Sequence, residues 1–151
     1  MKVTNHAIIL ILLSTPVLLV ADKKEGHKKF YDPVIKKVEG WTIEYDPLLL
    51  NEENQAFGKE VTKALANHLQ RIKYILPKEK AAALQELPIR LDLKHKLGNM
   101  QYHPNKGWLI NNGYDPRLEK RVHVPRAKSL LDRHTWAKHP YVILHELAHS
   151  Y

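Results

Sequence analysis

Residues 141–151 read YVILHELAHSY, and the way this stretch distributes its side chains around a helix organises the reading of everything upstream. His145 and His149 are four apart, so on an α-helix they share one face a turn from each other, and both imidazoles can reach one tetrahedral Zn²⁺ at about 2.0–2.1 Å. Glu146 is rotated by about 100° from His145, which sets its carboxylate beside such an ion, where it could take a proton from a zinc-bound water and return it to a leaving amine. With Ile143 as zero and about 100° per residue, Leu147, Leu144, Ala148 and Tyr151 fall between about 40° and 140°, and His145, His149 and Glu146 between about 200° and 300°. One arc can pack on a core while the other carries chemistry into a cleft; only Val142 breaks the partition. The pattern also fits a surface helix carrying two histidines. Catalytic zinc needs three protein ligands and an open position, and this helix supplies two.

The chain has 151 residues, about one domain's worth, and its 44% hydrophobic and 26% charged composition is that of a globular protein. Between Asn54 and Leu76, Phe57, Val61, Leu65, Leu69, Ile72 and Leu76 recur at spacings of three and four, which predicts a long helix with one buried stripe, ended by Pro77. A shorter helix is predicted over KEKAAALQEL, before Pro88. Alternation in VEGWTIEYD, IRLDLK and KRVHVP predicts strands, and a short strand is expected around Trp108 to Ile110 before the Asn112-Gly113 turn. Ala127 to Leu131 suits a helical turn, and the last helix is expected to open at Pro140, whose missing N–H is harmless in a first turn.

At the other end, Lys2 precedes AIILILLSTPVLLVA (residues 7–21), an uncharged apolar run too short to span a bilayer, which needs about 20 residues. Residues 1–21 therefore read as a signal peptide cleaved after Ala21, with an uncleaved N-terminal anchor as the alternative. Export to the periplasm, cell envelope or medium follows, with no stable membrane insertion after cleavage. Residues 22–37, rich in Lys, read as a basic linker, and 38–151 as the domain. The chain has no cysteine, so a metal must be held by His, Asp or Glu. The net charge of +8 suits anionic envelope polymers, but no basic-aromatic stripe points to nucleic acid.

VILHELAHSY resembles the active-site helix of the zincin metallopeptidases, and QYHP, GWLINNGY and RVHVP are similar to segments of small exported bacterial members related to the lethal-factor-type peptidases. The resemblance implies an α+β zincin-like fold, a small mixed sheet on the long helix and the HExxH helix, of which 38–151 would be the N-terminal part, incomplete at the C-terminus. It implies His145 and His149 as zinc ligands, Glu146 as general base, Zn²⁺ as cofactor and a peptide or protein as substrate, held extended along a strand for which Arg121 to Val124 is the candidate. The third ligand would be a Glu on a later helix in the gluzincin branch or a nearby His in the metzincin branch; the chain ends before either. His103, His123, His134 and His139 have ordinary alternatives: a loop residue, a solvent-facing strand residue and two surface residues at helix entries. His68, on the long helix's apolar stripe, reads as a half-buried structural residue, and Trp41, Trp108 and Trp136 as core or cleft wall. The rival to a peptidase is an exported basic protein that binds zinc or an anionic polymer without turnover.

Overall fold

The computed structural model describes residues 30–151. The signal peptide expected over 1–21, and the linker as far as residue 29, lie outside the described residues. The end of the expected linker is a strand: β1 (Val34–Val38) turns back antiparallel on β2 (Trp41–Tyr45), Val38 opposite Trp41. The two residues between them, Glu39 and Gly40, have φ of 52° and 100°, the backbone of a tight hairpin turn whose twist suits its strands. The linker reading fails at 34–37 because β1 is an edge strand with mostly exposed side chains. Lys36 and Lys37 keep such an edge in water, and no buried alternation is left to read.

α1 (Gln55–Ile75) is the expected long helix, with Val61, Leu65, Leu69 and Ile72 buried along its stripe. Near its start, a Cβ added to Gly58 would come within 2.1 Å of the Leu49 carbonyl oxygen, so the helix can press on the 3₁₀ turn Pro47–Leu49 only because this residue has no side chain. Pro77 then separates it from α2 (Lys78–Gln85).

β3 (Ile89–Leu91), β4 (Gln101–Tyr102) and β5 (Val122–Val124) complete a five-stranded sheet in the order β1-β2-β3-β5-β4. The three central strands are parallel, and β1 and β4 run antiparallel at the two edges. Trp108 to Ile110, expected as a strand, lie in α3 (Lys106–Asn111). The Asn105 side chain accepts the Trp108 N–H at 3.0 Å and starts a helix there, a cap that overrides the strand preference of Trp and Ile. Asp132 caps α4 (Arg133–Lys138) in the same way. The turn at Ala127–Leu131 is 3₁₀, and α5 (Val142–Ala148) begins two residues after Pro140. The fold is thus α+β, a five-stranded mixed sheet with five α-helices among the described residues.

Trp41, Ile43, Ile89, Leu91, Val122 and Val124 point from one face of the sheet into a core shared with α1 and with Ile143 and Leu147 of α5. The other face is polar and yet also buried. Glu44, Arg90 and His123 stand side by side on β2, β3 and β5. The Tyr31 ring lies 5.4 Å from the Arg90 guanidinium and Asp115 is ion-paired with it at 3.7 Å, so a second layer covers this face.

Candidate functional site

On α5 the expected partition holds where it matters for the site. Ile143 and Leu147 are buried, His145 and His149 are exposed, and Ala148 and Tyr151 at the helix end are exposed as well. The Nε2 atoms of His145 and His149 are 3.2 Å apart, with the rings edge to face at 4.7 Å between centroids. Two nitrogens bound tetrahedrally at 2.0–2.1 Å from one ion would be about 3.3 Å apart, so the helix already holds the pair near ligand spacing. Among the described residues, no third His, Cys, Asp or Glu ligand atom joins them.

Glu146 is 8% exposed. Its Oε2 accepts the backbone N–H of Tyr102 on β4 at 3.1 Å. Burial raises its pKa above the ordinary glutamate value, against the pull of that N–H and of the two imidazoles. His145 and Glu146 form part of one wall of a cleft of about 580 Å³, whose rim also includes Gly98, Met100, His139 and Tyr141.

α5 packs against both β4 and β5, but the free sheet edge beside it is β4, not the expected Arg121 to Val124. β5 is paired on both sides, with β3 and with β4, so it has no free edge. The His103 N–H donates inward to Arg121 at 3.1 Å, and alternation along a strand turns the Tyr102 N–H outward, towards Glu146. An aperiodic stretch of turn formers hid this strand, since two residues cannot establish a period.

A second constellation occupies the polar face. His123, expected to face solvent, is 0% exposed. Its Nε2 is 2.9 Å from Asp92 Oδ2, its Nδ1 is 3.2 Å from His103 Nε2, and the Tyr31 hydroxyl donates to Asp92 Oδ1. His103, expected in a loop, is buried beside it. His95 meets His123 edge to face at 4.8 Å, and the Leu97 N–H donates to His95 Nδ1 at 3.1 Å. Burial opposes the ionisation of Asp92, but His123 and Tyr31 outweigh it and hold the carboxyl below its usual range. Burial, with the neighbouring His123 and His95, lowers His103 to about 4. Ligand atoms of Asp92, His95 and His123 all lie within 4.8 Å of one another, a group that could hold a metal ion.

Sequence reasoning passed over Asp92 and His95. In IRLDLKH the alternation marks Arg90 and Asp92 as sharing a face, and nothing local tells that this face is covered. His134 is exposed, as expected at a helix entry, and His139 is exposed on the cleft rim. No helix among the described residues is long and apolar enough to cross a membrane. Compared with protein-family models, curated proteins and solved structures, the chain matches none.

Proposed function

We propose that this protein is an exported zinc-dependent peptidase in which His145 and His149 are zinc ligands and Glu146 is the general base. The reading is carried by the pair of Nε2 atoms 3.2 Å apart next to a buried carboxylate on the wall of a cleft. Bound Zn²⁺ would supply Lewis-acid polarisation and a lowered pKa for water. The raised pKa of Glu146 moves it towards the range where a carboxylate works as a base near neutral pH. The Tyr102 N–H fixes the orientation of that carboxylate. The outer edge of β4 around Met100 offers backbone groups to an extended peptide entering the cleft. The reading requires a third ligand from outside the described residues. Export rests on the apolar N-terminal run.

The hydrogen bond between Glu146 and Tyr102 also favours a second reading, zinc binding without turnover, because it already engages one of the two carboxylate oxygens in a structural contact. The full-length protein, a generic unfolded peptide and metal analysis separate the two. Glu146→Gln keeps the zinc held by α5 and loses a factor of about 10² to 10⁴ in rate. His145→Ala or His149→Ala loses that zinc and the activity together. Cleavage by Glu146→Gln at the parental rate would make the mechanism wrong. A parent that binds zinc and cleaves nothing across a broad peptide library is the non-catalytic binder.

A further inference from the structure

We propose that Asp92, His95 and His123 form a second metal site, structural in role, that takes Zn²⁺ or a divalent transition ion of similar preference. This proposal is independent of the peptidase reading. Two imidazoles and one carboxylate within 4.8 Å of one another are a donor set for zinc rather than for calcium or magnesium, which take oxygen ligands. The groups behind the ligands are arranged as a metal requires. A metal-bound imidazole donates its second N–H to a fixed acceptor. With His123 Nε2 turned to the cluster, its Nδ1 faces His103 Nε2 at 3.2 Å. That nitrogen is at hydrogen-bonding distance and can serve as the fixed acceptor. The Tyr31 hydroxyl occupies Asp92 Oδ1, so Oδ2, which faces His123 Nε2 at 2.9 Å, is the oxygen on the side of the ion.

A structural role follows from position. Asp92 and His123 are buried, and among the described residues the three ligands line none of the clefts of about 580, 330 and 270 Å³. The ion would join the end of β3 to β5 and to the 92–97 loop and, through Tyr31 and His103, brace the N-terminal segment and the continuation of β4. Its entry breaks two hydrogen bonds: the one between His123 Nε2 and Asp92 Oδ2, both of which turn to the ion, and the one from Leu97 to His95. The Leu97 N–H donates to His95 Nδ1, so the proton of neutral His95 sits on Nε2. Binding through Nε2 moves that proton to Nδ1, and binding through Nδ1 displaces Leu97 directly; either way the Leu97 amide loses its acceptor.

The test titrates metal-free full-length protein with Zn²⁺ alone, in the His145→Ala/His149→Ala background that removes the α5 pair. The expected result is about one equivalent of zinc still bound, a raised unfolding temperature, and a shift of the Leu97 amide resonance. Adding Asp92→Asn abolishes uptake. Should that variant fail to fold, His95→Gln at the half-exposed side of the cluster does the same. Zinc uptake that disappears with the α5 pair, with the Leu97 amide unmoved, overturns the proposal and leaves the cluster as a hydrogen-bonded relay.

Discussion

His68 shows how far a single side chain can be read before its surroundings are known. It lies on the buried stripe of α1 and stacks on Trp136, centroids 4.0 Å apart and planes 16° from parallel, while its Nε2 is buried without a hydrogen-bond partner among the described residues. Burial, and then the charge of Arg71, lower its pKa to about 4. Folded His68 is therefore neutral where the unfolded chain takes up a proton, below about pH 6.5. Its contribution to stability is intact above that value and drains as the pH falls towards 4. Relative to His68→Phe, which keeps the stack and cannot titrate, the parent should lose up to about 1.4 kcal/mol per pH unit in that window. Denaturant unfolding of both proteins at pH 7, 5.5 and 4.5 measures the difference, and parallel pH profiles would show that the site is already open to water. The stripe position of His68 was visible in the sequence; its stacking partner, from a helix some seventy residues away, was not.

At the scale of elements, a helix with a long period is legible and the six-residue helices are not. α1 has Phe57, Val61, Leu65, Leu69 and Ile72 in phase within its 21 residues and Leu76 at its C-cap, enough to fix its face, whereas α3 and α4 are six residues each and depend on single capping side chains, Asn105 and Asp132. Gly58 tests how tightly α1 is seated. Replacing a helical glycine with alanine normally gains about 0.5–1 kcal/mol. Here the new Cβ would meet the Leu49 carbonyl oxygen at 2.1 Å, a backbone atom that cannot swing away. Overpacking of this kind costs about 1–3 kcal/mol, so the sign should reverse and Gly58→Ala should be less stable than the parent in urea unfolding. A stabilised variant would mean that α1 can lift off the Pro47–Leu49 turn without loss.

Over the whole molecule, the sheet separates an apolar layer from an ionic one, and the ionic layer is the more sensitive to single changes. Arg90, 2% exposed, is held by Glu44 at 2.8 Å and by Asp115 at 3.7 Å, and Glu44 also accepts from Arg121 at 2.7 Å. Removing one partner of such a pair strands a buried charge, so Glu44→Gln should cost about 3–5 kcal/mol. The Lys73 to Glu39 pair, 2.6 Å long but in water, should cost under about 1 kcal/mol as Lys73→Ala. Equal losses in the two variants would place the polar face in contact with solvent.

The same division marks the reach of sequence reasoning here. Periodicity alone was enough for α1, for the strands at Trp41, Ile89 and Val122, and for the helix that sets His145 beside His149, because each depends on neighbours within one or two turns of chain. Alternation also placed Glu44, Arg90, Asp92 and His123 on one side of their strands. Whether that side met water depended on Tyr31 and Asp115, contributed from distant parts of the chain. Their packing converts a pattern that ordinarily means a solvated face into a buried cluster of ion pairs and imidazoles, and it leaves β4 rather than β5 as the edge next to Glu146. Side-chain direction is a local property of the backbone; burial and edge position are set by contacts between residues far apart in sequence, and only the folded chain brings those together.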